Sequence, residues 1–227
     1  MDCPVLLRYG PESTPQGNQS FLACMCDIFS FEQRKVKDPY SLSQFKDKII
    51  ESVDLDVYIQ LQNGSIAARF QPTDADIDDV DIEPYKNTFF YSKIETNDDA
   101  QMSFFKYSIL SYQNFQTFLK EDNVVIDHTY MWEIMSRPNP LLFKNGLNLA
   151  ILEIPEQDNT NNVILVCPTS SYTYPLFDMS RQTVILMKQS NENGTYYEPI
   201  YRYTRTIVNN EEIERVRKQF SKNSFDI

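Results

Sequence analysis

The prevailing hydrophobic period of this chain shifts near residue 145, and that shift decides the fold class. Before it, apolar residues recur at helical spacing. Phe105, Ile109, Tyr112, Phe115, Phe118 and Leu119 do so between Asp98 and Lys120, with acids first and Lys last, which predicts an amphipathic helix suited to its own dipole. Ser41 with Gln44 forms a capping-box pattern ahead of Leu42, Phe45, Ile49, Ile50 and Val53. Ser20 to Phe29 is almost wholly apolar and reads as a buried helix with Ser20 as its cap. Asp54 opens another helical stretch that stops at Asn63-Gly64, Ser65 to Phe70 reads as a short strand, and Asp127 caps a helix holding Tyr130, Met131, Trp132, Ile134 and Met135. After residue 145 the runs become short, apolar and β-branched: Leu147–Ile154, Val163–Val166, Thr183–Met187 and Tyr196–Tyr203, the last two forming a hairpin across Asn193-Gly194.

Helices followed by a mainly antiparallel sheet predict one α+β domain over residues 1–227. Its parts are an extended, Pro- and Gly-rich lead-in at 1–18, a mainly helical region at 19–136, a sheet at 147–208, and a C-terminal helix at 210–222 capped by Asn210.

Acids outnumber bases 32 to 21, for a net charge of −11. That surplus argues against nucleic acid as a partner of this domain, because such affinity comes from Lys and Arg releasing counterions. The basic residues that exist collect late, as Arg202, Arg205, Arg215, Arg217, Lys218 and Lys222, interleaved with Tyr201, Tyr203 and Phe220. A nucleic-acid-binding module using this C-terminal segment is therefore one alternative function. No apolar run approaches the ~20 residues that span a bilayer. The start, Met1 to Arg8, carries no basic and then apolar leader, so no export signal and no membrane partner are expected. Three sequons, at Asn18, Asn63 and Asn193, carry little meaning without export.

Four cysteines, Cys3, Cys24, Cys26 and Cys167, with a single histidine, His128, provide no disulfide scaffold and no zinc-ligand spacing, so no metal or cofactor is expected. The acidic loop at 73–83 lacks the EF-hand Gly and Glu, since Asp79 and Tyr85 stand at those positions; a cation or a basic surface remain open as its ligands. Covalent chemistry would need Cys24 as nucleophile with His128 as base, in an active cysteine hydrolase. Cys24, however, lies a turn into an apolar helix, where a thiol stays protonated. A serine triad would need the same histidine, and no nucleophile elbow, P-loop or dinucleotide fingerprint occurs.

The helix entrance and the closing hairpin resemble the ovarian-tumour type of cysteine peptidase, a papain-like architecture. In that family a D-G-N-C-L-F-like turn opens the central helix, a W-x-x-x-E-like helix and an apolar strand follow, and a closing strand carries His-Tyr. Here the turn reads Gly17-Asn18-Gln19-Ser20-Phe21-Leu22, Trp132-Glu133 precedes the strand at 149–154, and the closing strand reads Tyr196-Tyr197-Glu198-Pro199-Ile200. The resemblance implies that Gln19 or Ser20 stands where the cysteine would be and Tyr196 where the histidine would be, so the catalytic residues are absent. A further resemblance links Arg8-Tyr9-Gly10, Asn18 to Cys24, Asn145 to Glu153 and Val166 to Thr169 to giant DNA virus proteins similar to the large subunit of the poxvirus-type early transcription factor. It implies a pseudo-peptidase domain in the virion interior or host cytoplasm, contacting viral transcription components or ubiquitin-like proteins. The abundance of Asn, Asp, Ile, Lys and Tyr suits an AT-rich genome of that kind.

Overall fold

The helix that begins at Ser20 is apolar around its circumference because it is enclosed on both sides. The computed structural model describes residues 5–10, 17–73, 77–155, 162–168, 175–192, 194–208 and 211–224. This helix, α1 (Ser20–Glu32), buries Phe21, Leu22, Cys24, Met25, Ile28 and Phe29, each side chain contributing about 1.5–3 kcal/mol. One side packs on strand β5 (Gly194–Val208) and the other on α2 (Leu42–Ser52). The capping box of α2 is complete: the Gln44 amide donates to Ser41 Oγ at 3.2 Å and the Ser41 amide to Gln44 Oε1 at 3.0 Å. Phe29 meets Phe45 of α2 with ring centroids 5.3 Å apart.

Asp54 caps α3 (Leu55–Tyr58), accepting from the Val57 amide at 2.8 Å. A 3₁₀ turn at Leu61–Gly64 leads into α4 (Ser65–Arg69), where a strand was expected. The helix prevails because Gly64 turns the chain through a left-handed conformation and Ile66 is fully buried, while the Ala67 carbonyl accepts from Ser111 Oγ at 2.6 Å. The long helix α5 (Asp99–Lys120) begins at the Asp98 cap, as its pattern predicts, and α6 (His128–Ser136) begins at the Asp127 cap.

Six strands form one sheet, in the order β1-β5-β4-β2-β3, with β6 also paired to β5. They are β1 (Val5–Arg8), β2 (Leu147–Ile154), β3 (Ile164–Val166), β4 (Gln182–Asn191), β5 and β6 (Glu211–Arg217). β2 and β4 run parallel and every other pair is antiparallel. β5 is long enough to serve three neighbours. Its first part pairs with β4, residues 200–203 pair with β1, and 202–208 pair with β6.

The extended lead-in supplies the strand β1. One expectation is corrected at the sheet. The C-terminal helix at 210–222 is instead β6, with Asn210 outside the described residues. Glu, Arg and Lys are good helix formers, but the ladder to β5 supplies backbone partners along the segment, and long-range pairing overrides weak local propensity. The result is α+β, with a mixed and mostly antiparallel sheet. Among the described residues no helix is long and apolar enough to cross a membrane.

Candidate functional site

The mouth of α1 is held by its neighbours rather than left open. Gln19, at the N-cap, makes no side-chain cap bond; its Nε2 donates to the Glu121 carbonyl at 2.7 Å and the Val124 carbonyl at 3.3 Å. Lys46 of α2, almost fully buried, donates to the same Glu121 carbonyl at 2.8 Å and to Asp122 Oδ1 at 2.9 Å. The loop between α5 and α6 is thus tied across the start of α1. Ser20, expected as the cap, is the first helical residue, and its hydroxyl accepts from the Tyr197 amide at 3.0 Å.

Tyr197 organises the remaining candidates. Its carbonyl accepts from Cys24 Sγ at 3.4 Å, and its phenol meets His128 Nδ1 at 2.7 Å. The residue facing the helix mouth is therefore Tyr197 and not Tyr196. Side chains alternate across a strand, so Tyr196 points to the other face, where its hydroxyl hydrogen-bonds to the Gln189 side chain. Gln19, Ser20, Cys24 and His128 do converge on one region, but Cys24 meets the backbone of Tyr197 while His128 meets the far end of its ring. No hydrogen bond joins Cys24 to His128, and the pairing an active hydrolase would need is not formed.

The electrostatics agree with closure. Cys24 is fully buried, and burial first, then the Asp27 and Glu198 carboxylates, push its thiol well above the ordinary range. Cys26 is pushed up to about 11, chiefly by burial. Burial lowers the pKa of His128, although Asp127 opposes this, and burial raises that of Tyr197. Both groups are therefore neutral near pH 7 and share one hydrogen bond between the phenol oxygen and Nδ1. Two buried polar atoms nearby, Gln19 Oε1 and the Trp132 indole nitrogen, have no partner among the described residues, and the Trp132 ring lies 5.9 Å from that of His128.

Outside this cluster, Asp27 of α1 accepts from the Tyr201 hydroxyl and pairs with Lys218 at 2.7 Å. Among the described residues no group of three or more His, Cys, Asp or Glu is placed to hold a metal ion. In the acidic loop, residues 74–76 lie outside the described residues; Asp81 accepts from the Glu83 amide and Glu83 pairs with Lys86.

The late basic residues divide. Arg202, Arg215, Arg217 and Lys218 line one groove of about 1000 Å³ between the β5–β6 ribbon and the end of α1. Arg205 lies opposite Glu214 on the other face, Phe220 is buried, and Lys222 lines a separate recess with Arg181. Sequence reasoning missed Arg34, which joins the groove from the turn after α1, and Tyr197, which strand phase alone separates from Tyr196. Compared with protein-family models, with curated proteins and with solved structures, the chain matches none.

Proposed function

We propose that this chain is a catalytically silent, ovarian-tumour-like domain of a giant-virus protein, acting through protein contacts in early viral transcription. The observation that carries the silent half is Tyr197. It occupies with one residue the three groups that acyl transfer would have to free: the Ser20 hydroxyl, the Cys24 thiol and the His128 ring. A nucleophile needs a base within hydrogen-bond reach and an open face for the carbonyl it attacks. Here the thiol is buried, protonated and turned to a backbone oxygen. The scaffold order and the residues quoted from the turn, the Trp132 helix and the closing strand support the family; the viral segments support the setting.

Incubation with ubiquitin chains and with an active-site-directed ubiquitin probe tests the first half. No hydrolysis and no adduct are expected, and an adduct on Cys24 in the folded protein would overturn the reading. Cross-linking mass spectrometry in infected cells tests the second half, with early transcription components as the expected partners. A cross-link map lacking them retires it.

A further inference from the structure

We infer that the groove between α1 and the β5–β6 ribbon binds single-stranded nucleic acid, with arginines on the phosphates and tyrosines on a base. The pleat gathers the cations. Arg202 lies directly opposite Arg217 and Thr204 opposite Arg215, so all four share one face, while Glu214 falls on the other. From across the groove Arg34 completes the set.

Neutralising partners are scarce there. Lys218 is paired with Asp27, and Glu32, the one acid among the described residues lining the groove, accepts from Gln219 Nε2 at 2.9 Å. Arg202 donates to the Ser224 carbonyl. The side chains of Arg34, Arg215 and Arg217 form no ion pair with any described residue.

Two features show stability given up to place these charges. Like charges directly opposite across a ladder repel, as Arg202 and Arg217 do. Arg34 sits at φ 58°, in the left-handed position that closes α1, where its amide donates to the Phe31 carbonyl and the Lys35 amide to the Ser30 carbonyl. Glycine fills that position in most such helix ends, because a side chain there is strained. An anion in the groove offsets both penalties, and guanidinium forks match phosphate oxygens in pairs.

The neighbouring recess selects the kind of anion. It encloses about 520 Å³, shares Phe31, Val36, Val216 and Lys218 with the groove, and presents the exposed ring of Tyr9, stacked on the buried Tyr201, with Tyr203 beside it. A cationic track beside aromatic faces fits a strand whose bases are free to stack, whereas a duplex keeps its bases inside. The net charge of −11 does not cancel this, because acids beyond the Debye length of about 8 Å are screened at physiological salt.

Fluorescence anisotropy with labelled oligo(dT), oligo(U) and a hairpin duplex, over a range of NaCl concentrations, tests the inference. Single strands should bind better than the duplex, with a log–log salt slope of about −2 to −3 for three to four phosphates. The double variant R215A/R217A should flatten that slope by about 1.4 and weaken binding at least ~10-fold. R34G should weaken binding while the protein melts no lower than wild type, which separates lost contact from lost fold. If oligo(U) and oligo(dT) bind alike, the site reads phosphate and base, as inferred. Binding insensitive to salt, absent at about 10⁻⁴ M protein, equal for the duplex, or displaced as well by poly-glutamate at equal charge would overturn the inference.

Discussion

At the level of single side chains, His128 is the group through which pH acts on this fold. Its imidazole hydrogen-bonds to the Tyr197 phenol, and Asp127, Glu153 and Lys188 surround it, the last two paired at 2.8 Å. Burial lowers its pKa from an ordinary 6.5, so the unfolded chain takes up the proton more readily than the native one. Stability is then constant above about 6.5 and falls with pH between 6.5 and the lower native value. Thermal melts of wild type and H128Q from neutral to mildly acidic pH check this. The wild type should lose stability relative to the variant on acidification; parallel curves would mean the ring titrates freely. Glu133 carries more weight still. It is 1% exposed, accepts from the Gln62 amide at 2.7 Å, and receives both the Nε and Nη2 of Arg137. Glu133→Ala strands that buried amide and removes both bonds from the Arg137 guanidinium, and should cost about 3 kcal/mol. Glu133→Gln, which keeps an acceptor for the amide, should cost less in the same urea titrations.

Among elements, the connection from α6 to β2 depends on Gly146. Its φ is +69°, and a Cβ there would lie 2.2 Å from the Ser136 carbonyl oxygen, a backbone atom that cannot swing aside. Gly146→Ala combines a left-handed alanine with that clash and should destabilise by about 3 kcal/mol, measured by denaturant midpoint at unchanged slope. The sequence made such elements visible where local signals and packing agree. α5 has its Asp98 cap, its apolar stripe and its terminal Lys, and β2 and the first half of β4 read as strands because Leu147, Leu149, Ile151, Val184 and Leu186 are buried. It concealed elements whose state is decided at a distance. Ile213, Val216 and Phe220 sit at helical spacing, with acids before bases, yet β6 has little to bury and takes its state from the ladder with β5. The site divides in the same manner. Convergence of Ser20, Cys24 and His128 follows from helix starts that a sequence reveals, whereas the choice of Tyr197 over Tyr196 depends on strand phase. Arg34 gives no sequence signal, because the rule for that helix end predicts glycine.

Over the whole molecule, the helical and sheet regions are joined through α1, which lies between α2 and β5, so they share one core. The hydrophobic cluster is contiguous from Phe21 through Phe45, Phe115 and Trp132 to Leu149, Val184 and Tyr201. Sequence boundaries near residue 145 therefore separate two patterns of secondary structure and not two folding units. Trp132, the single tryptophan, is 4% exposed on α6, which packs against β2. Its fluorescence reports on the seam between the two regions, while far-UV dichroism reports on helices and sheet together. Opening α1 exposes apolar surface on both of its sides at once, so neither region retains a core of its own. Urea unfolding followed by the two signals should give coincident midpoints and slopes, the mark of an all-or-none transition. Separated transitions, with tryptophan exposed while half of the dichroism persists, would mean that the helical region and the sheet stand independently. The seven-residue β6 and the exposed β1 lie outside that cluster, and their amides should exchange with solvent before the global transition.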